Sequence, residues 1–232
     1  MNDKLKRAFL SGLSTVLVSV SGLAAAAPVQ AVHGLDVDNS AAFLAAIDTL
    51  FESDDIAEHK VSIWAAVFDG SSPTTHVVVE EFDSYAQYDA QTARRLGSND
   101  WPRFGMASDD ILKSTGSALH IQRVADGSGW RNHDAAAVFV MTVKDPAAYT
   151  AAFSEMIGAV DNPGSVRLME IRAGGMGATH LAIITGESLA SVNQYLDDLL
   201  ASDAYRSFVG KIGEIRKIRT VSMYRRIRTH GD

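Results

Sequence analysis

The chain has 232 residues, a formal net charge of −7 and no cysteine. The lack of cysteine excludes disulfides, thiolate catalysis, thiolate metal sites and iron–sulfur clusters, so stability must come from packing alone. The net charge is −9 over residues 32–132 and zero over residues 133–232. An acidic chain without a basic groove is a poor nucleic-acid binder, and we expect no nucleic-acid partner.

Residues 1–26 are predicted to form a secretory signal peptide. A positively charged start precedes an apolar stretch from Phe9 to Leu23, and small residues then permit cleavage after Ala26 or Ala31. An uncleaved membrane anchor is the alternative, but the apolar run is shorter than the roughly 20 residues that a span needs. We therefore expect a periplasmic or secreted protein with no membrane contact after cleavage.

Residues 31–125 are predicted to form a first module of four strands and three helices. Strands are expected near residues 31–37, 60–69, 74–82 and 116–124, and helices near 40–53, 84–95 and 99–112. Polar residues that commonly cap helices precede each helix: Asn39 or Ser40, Ser84, and Ser98 or Asn99. The element order is βαββααβ.

The second module, residues 133–228, follows a linker at residues 126–132. The linker is rich in Gly, Ser and Asp and is expected to be exposed, apart from Trp130, which we expect to pack against one module. Asp145-Pro146 predicts the start of the second module's first helix. The pattern of strands and helices again predicts the order βαββααβ.

The second module restates the first at a nearly constant offset. An offset of 104 residues places Thr75-His76 on Thr179-His180, and further upstream an offset of 106 places Phe43 on Tyr149. Few residues are identical, but the element order agrees throughout. We interpret this agreement as a tandem duplication of a module of roughly 100 residues.

The element order predicts an α+β fold. A βαββααβ unit is a ferredoxin-like sandwich, in which helices cover one face of an antiparallel sheet. The uncovered faces of the two sheets can cover each other, so we expect a pseudo-dimeric α+β barrel. In this order, its repetition and the short extra helices beginning at Ser98 and Ser202, residues 31–228 resemble the dimeric α+β barrel superfamily in a tandem-fused form.

The resemblance implies an apolar pocket between sheet and helices that holds a small organic molecule. Members of the superfamily include cofactor-independent monooxygenases of the antibiotic-biosynthesis type, haem-degrading monooxygenases, haem-binding chlorite dismutases, and lactone isomerases or cyclases. The haem-using fused members place their axial histidine on a helix, and no predicted helix here carries one; His59 and His133 fall in predicted loops. No cofactor is therefore predicted, with haem or a divalent metal as open alternatives.

Two histidines are the candidate catalytic residues. His76 and His180 occupy equivalent positions at the start of the third strand of each module, and each follows a threonine. If their face of the strand looks into the barrel, they could ligate a metal or haem, or act as general bases near neutral pH. A structural hydrogen-bonding role is the alternative.

The first module adds two histidines as candidate pocket residues. His33 lies on its first predicted strand and His120 on its last. The ferredoxin-like strand order 4-1-3-2 places His120, His33 and His76 on adjacent strands, where a one-residue slip in register would reverse a side chain. Tyr224 of the second module matches His120, so one half of the barrel is histidine-rich and the other aromatic.

The second strand of each module supplies the remaining pocket candidates. Alternation puts Trp64 and Phe68 on one face, and an offset of 104 residues matches that face to Glu170 and Arg172. A carboxylate and a guanidinium among apolar side chains could orient a polar ligand in a hydrophobic pocket. An exposed ion pair at a strand end is the alternative.

These observations predict an exported protein that acts on a small apolar organic compound. The first hypothesis is a cofactor-independent, monooxygenase-like enzyme. The alternatives are a non-catalytic module that binds such a compound, and an interaction protein with no active site. Two modules in one chain remove the need for a barrel-forming dimer without forbidding further association, so an oligomer stays open.

Overall fold

The structure is a computed structural model that describes residues 27–53, 56, 58–70, 72–127, 129–162 and 164–231. The predicted signal peptide lies outside the described residues. Within the described ranges, no helix combines the length and the apolar character needed to cross a membrane.

Each half of the chain contributes four strands and three helices in the same order. The first half contains β1 (Val29–Val37), α1 (Ser40–Phe51), β2 (Lys60–Phe68), β3 (His76–Phe82), α2 (Tyr85–Gly97), α3 (Asp100–Ser108) and β4 (Leu112–Asp126). The second half contains β5 (Ala135–Val143), α4 (Pro146–Ile157), β6 (Ser165–Ala173), β7 (His180–Gly186), α5 (Leu189–Ala201), α6 (Asp203–Ile212) and β8 (Arg216–His230). A 3-10 turn at Trp130–Asn132 connects the two halves. The predicted α+β class and the βαββααβ order are confirmed.

Polar side chains cap the helices at the positions that the sequence indicates. Asn39 at α1 and Asp145 at α4 each accept a hydrogen bond from the backbone N–H three residues on, at 3.1 and 3.0 Å. At α3 the N-cap residue, Asn99, makes no side-chain cap bond, and the Oγ of the preceding Ser98 accepts from the N–H of Asp100 at 3.1 Å. These local bonds satisfy backbone donors that the first helical turn leaves free.

All eight strands pair antiparallel and close into one barrel in the order β1-β3-β2-β8-β5-β7-β6-β4. Each half keeps the predicted strand order 4-1-3-2. The halves join at two seams, the β2–β8 pairing and the β4–β6 pairing. These pairings bond backbone groups of four strands that would otherwise be open sheet edges.

Alternation along the strands separates an outer, helix-facing side from the barrel interior. In β1, Val29 and Leu35 belong to the packed cores outside the barrel, whereas Val32 points into the interior. The core of the second half centres on Tyr149 and Phe208, which are 0% and 2% exposed. The helices therefore bury the outer side of the sheet, whereas inward-facing strand residues and the connecting loops line the interior.

The start of β1 bears on the two cleavage positions predicted for the signal peptide. β1 begins at Val29, which is fully buried and pairs with both Phe82 of β3 and Ile121 of β4. Cleavage after Ala31 would remove three residues of this strand. Of the two positions, the one after Ala26 would leave β1 whole.

The β4–β6 seam requires a glycine at position 174. Gly174 has a φ of 78°, and a Cβ there would lie 1.8 Å from the carbonyl oxygen of Ser117 in β4. Gly70, at the matching position in the first half, has a φ of 58°, but a Cβ there would meet nothing within 4 Å.

We expect Gly174→Ala to lower the free energy of unfolding by about 3 kcal/mol or more, because its methyl group overlaps a backbone oxygen of the seam. Gly70→Ala is the matched control, and its cost of about 1 kcal/mol comes from the left-handed backbone alone. Urea unfolding of both variants measures the difference. Equal losses would contradict the close approach at the seam.

Candidate functional site

The barrel interior encloses a cavity of about 380 Å³. An eight-stranded barrel is just wide enough inside to be filled by side chains or to hold one small ligand. Here several inward-facing residues are small, including Gly34, Ala118 and Ala136, so the interior is not filled. The volume falls within the roughly 300–1,000 Å³ typical of small-molecule pockets.

Apolar side chains form a belt around the middle of the cavity. They come from both halves of the barrel: Val32, Val77, Val79, Val138, Leu181 and Ile183. Trp64 of β2 adds an aromatic surface, and its indole N–H donates to Ser62 Oγ at 3.0 Å. The belt is suited to the body of an apolar compound.

Polar side chains surround the two ends of the belt. The linker end is formed by Gln30, Arg167, Thr185 and Trp130. The loop end is formed by Asp69, Ser72, Thr74, Thr115 and Met176. Because Ser72 and Met176 are exposed to solvent, we take the loop end as the entrance. Trp130 packs against the second half, as expected, since the guanidinium carbon of Arg167 lies 3.9 Å from its ring centroid.

His120 faces the cavity next to Gln30, its cross-strand partner on β1. It is 5% exposed, and burial lowers the pKa of its imidazole to about 4. The ring is therefore neutral at pH 7. Its Nδ1 has no hydrogen-bond partner among the residues that the structure describes. A buried imidazole nitrogen without a partner is available to a ligand.

Tyr224 lies on the cavity wall at the position equivalent to His120. Burial, and secondarily the charge of Asp69, raise the pKa of its hydroxyl to about 12. The phenol is therefore protonated at neutral pH. Asp69 in turn accepts a hydrogen bond from the hydroxyl of Ser222. Trp64, His120 and Tyr224 are thus the three predicted pocket residues that the structure brings together around the cavity.

Phe68, Glu170 and Arg172 lie away from the cavity wall, contrary to their expected place in a pocket. Phe68 is 67% exposed at the end of β2. Glu170 faces outward beside His180, and its Oε1 lies 3.1 Å from Nη1 of Arg172. Its other oxygen accepts from Nε of Arg123 at 2.6 Å. The alternative, a partly exposed ion pair at a strand end, describes the observed arrangement.

For Glu170 and Arg172, the reason for this correction is a one-residue difference in alignment, whereas Phe68 follows a register shift after Ala66 at the end of β2. β3 and β7 correspond at an offset of 104 residues, but the cross-strand pairs Val61–Glu80 and Val166–Ile184 show that β2 and β6 correspond at 105. A one-residue shift reverses the face of every side chain in a strand. The inward-facing cation of β6 is therefore Arg167, which the sequence reasoning missed.

His76 and His180 face the helices instead of the barrel interior. Nε2 of His76 lies 3.0 Å from Ser40 Oγ, and its ring meets Phe43 edge-on at 5.7 Å between centroids. His180 is 1% exposed and lies 6.3 Å from the Tyr149 ring. The two imidazoles therefore do not enter the barrel, because Val77, Leu181 and their alternate neighbours occupy the inward positions.

His120, His33 and His76 lie on adjacent strands, as predicted, but do not form one cluster. His33 faces the helices, where its Nε2 lies 2.9 Å from Oε1 of Glu80, whereas His120 faces the interior. Among the described residues, no group of three or more His, Asp or Glu side chains has a geometry that could hold a metal ion.

A buried charged cluster lies outside the barrel in the first half only. Glu80 is 3% exposed and is bound by Arg95 and His33, with His59 Nε2 at 3.5 Å. Burial first, and then the charges of Arg95 and Arg94, lower the pKa of His59 to about 4. The matching positions of the second half are apolar: Phe139 for His33, Ile184 for Glu80 and Leu199 for Arg95.

We expect the protein to lose stability as the pH falls from 6.5 toward 4. In this window unfolded histidines bind protons, while the folded His59 and His120 stay neutral, so protons favour the unfolded state. The free energy of unfolding should drop by about 1 kcal/mol or more per histidine between pH 7 and pH 5. His120→Gln should reduce this drop.

Urea unfolding at the two pH values measures the effect. Tyr224→Phe, at the equivalent position of the second half, is the matched control, because its hydroxyl does not titrate in this window. An unchanged pH dependence in His120→Gln would show that this imidazole is not held neutral by the fold.

No protein-family model and no curated protein sequence matches the chain. Solved structures match it in fold. A candidate monooxygenase from Fusobacterium nucleatum subsp. nucleatum has a TM-score of 0.58 at 15% identity, covering 88% of this chain and 94% of that one. A candidate monooxygenase from Lactobacillus acidophilus has a TM-score of 0.59 at 12% identity, covering 88% of this chain and 96% of that one. An anthrone oxidase-like protein has a TM-score of 0.57 at 14% identity, covering 88% of this chain and 92% of that one.

The fold is that of the dimeric α+β barrel proteins. At these identities the similarity shows the fold alone. The resemblance implied a pocket between sheet and helices, but the cavity of about 380 Å³ lies inside the barrel. A smaller cavity of about 160 Å³ lies outside it, beside Tyr195 of α5.

The residues present do not fit a haem between sheet and helices. All seven histidines of the chain lie on strands or in loops, so no helix supplies an axial histidine. His76 and His180 do face the helices, but the rings of Phe43 and Tyr149 pack against them in filled cores. An α+β barrel that binds haem at this place would need space that these side chains occupy.

Proposed function

We propose that the barrel interior binds a small, largely apolar organic compound, and that the protein oxidises it as a cofactor-independent, monooxygenase-like enzyme. The cavity carries this proposal, because an apolar belt and the imidazole of His120, whose Nδ1 has no partner among the described residues, line the same space. The names of the structural neighbours, candidate monooxygenases and an anthrone oxidase-like protein, support the reaction class.

The proposed reaction uses the substrate itself as the electron donor. A carbon acid such as anthrone loses a proton and transfers electrons to molecular oxygen. One oxygen atom becomes a new carbonyl and the other leaves as water, so anthrone and O₂ give anthraquinone and water without an external reductant. The protein has to supply a proton acceptor, an environment that favours the carbanion, and exclusion of bulk water.

His120 is the proposed proton acceptor. Its imidazole is neutral at pH 7, so a ring nitrogen is free to take the proton. An imidazole with a pKa of about 4 is a weak base by itself, and the buried cation of Arg167 in the same cavity would favour the substrate anion. His76 and His180, the candidates from sequence, have no access to this space.

A non-catalytic binding protein is the second candidate. The observation that favours it is the low pKa of His120, which limits its strength as a base. In that case the belt and the polar ends of the cavity would hold the compound without changing it. Binding and oxygen uptake therefore have to be measured separately.

We expect the purified protein to consume oxygen with anthrone faster than the buffer alone. His120→Asn should lower kcat about 100-fold, the usual effect of losing a positioned acid or base. Anthrone binding should persist in this variant and can be followed by fluorescence, because two of the three tryptophans, Trp64 and Trp130, line the cavity.

Two control variants separate the proposed site from the rest of the barrel. His33→Asn removes a histidine that faces the helices and should leave the rate unchanged. Val138→Trp fills the belt and should abolish both binding and turnover. Binding without oxygen uptake would support the binding protein instead. Equal binding by wild type and Val138→Trp would refute the interior as the site.

A further inference from the structure

A buried cation without a counter-ion lies at the linker end of the cavity. Arg167 of β6 is 4% exposed and lines the interior. Its Nε has no hydrogen-bond partner, and its guanidinium forms no ion pair among the residues that the structure describes. Leaving a buried guanidinium unpaired is unfavourable, so an unpaired arginine in a cavity points to an anionic partner.

Two carboxylates near this end are already bound by other groups. Oε1 of Glu81 accepts from Gln30 Nε2 at 3.0 Å, and its Oε2 accepts from Arg131 Nε at 2.6 Å. Asp134 is bound by Arg226 at 2.7 Å. The guanidinium of Arg167 thus keeps a positive charge that no carboxylate in the described part of the chain neutralises by direct contact.

The guanidinium is charged and held in place. Burial lowers the pKa of Arg167 to about 10, while the charge of Glu81 acts in the opposite direction, so the group is protonated at neutral pH. Its guanidinium carbon lies over the Trp130 ring, 3.9 Å from the centroid, a cation–π contact that holds the group in place. The equivalent residue in the first half is Ser62, whose hydroxyl accepts a hydrogen bond from the indole N–H of Trp64. The second half therefore supplies a cation where the first half supplies a hydroxyl group, so the two halves present different chemistry to a ligand at this end of the cavity.

We infer that the compound bound in the barrel carries a carboxylate, which pairs with the guanidinium of Arg167 while its apolar body fills the belt. A guanidinium matches the two oxygens of a carboxylate in a bidentate pair. The inference rests on the proposed function, because it names the class of compound that the same cavity takes. It adds that the acid group enters first and lies at the linker end.

The test compares two compounds that share one ring system and differ in charge, 2-naphthoate and 2-naphthamide. Their dissociation constants are measured by tryptophan fluorescence at pH 7 and low salt. Wild type should bind 2-naphthoate at least about tenfold more tightly than 2-naphthamide. In Arg167→Gln this preference should disappear, while 2-naphthamide should bind about as tightly as it does to wild type.

Arg172→Gln is the matched control, because Arg172 is an arginine of the same strand that faces away from the barrel. It should keep the preference of wild type for the carboxylate. If Arg167→Gln does not fold, Arg167→Lys is the second variant, because it keeps the charge and loses the bidentate geometry. Its ratio of the two dissociation constants, 2-naphthamide over 2-naphthoate, should lie between one and the wild-type ratio.

Each outcome decides between the claims. Equal affinity of wild type for both compounds would overturn the claim that the ligand carries a carboxylate, and would leave the proposed binding of an apolar compound intact. A folded Arg167→Gln that keeps the preference would overturn the role of Arg167. Failure of wild type to bind 2-naphthoate, 2-naphthamide and anthrone would overturn the proposed function and the inference together.

Discussion

The two seams, β2 with β8 and β4 with β6, are the pairings on which the rest of the structure depends. Each half alone would leave two open sheet edges and an uncovered sheet face, and closure removes both. Closure also creates an interior that the helices cannot reach. Because the chain must pass from β4 to β5 near one end of the barrel, the linker places Trp130 against the buried Arg167. The cavity and its charged end are therefore consequences of how the halves join.

The two sides of the sheet have different tasks. Outside, helices and strands bury aromatic and aliphatic side chains around Tyr149 in the second half and Phe43 in the first. The first half also buries the Glu80 cluster, where the second half has only apolar side chains. Inside, small and branched residues leave space, and two of the polar atoms that face this space, His120 Nδ1 and Arg167 Nε, have no hydrogen-bond partner among the described residues. The packed cores thus lie outside the barrel, and the cavity inside it presents two unpartnered polar atoms to a ligand.

The sequence predicted the order of the strands and helices well, but it predicted poorly which face of the sheet each side chain occupies. Helix caps such as Asp145, the βαββααβ order and the strand order depend on local patterns, and these were correct. The pocket depends on which side chains point inward, and strands alternate with a period of two. An offset of 105 instead of 104 residues in one strand pair was enough to select Glu170 in place of Arg167. A lone arginine between Val166 and Leu168 was the available signal, because a charge within an apolar run is expected to have a partner. The outward position of His76 and His180 required the register that only the structure provides.

The central claim is that the ligand lies inside the barrel, and the direct measurement is a crystal structure with 6-bromo-2-naphthoate, using the anomalous signal of bromine to locate it. We predict one bromine peak inside the apolar belt, displaced toward the loop end, with the carboxylate at Arg167. A peak between sheet and helices, beside His76, His180 or the smaller cavity near Tyr195, would contradict the account.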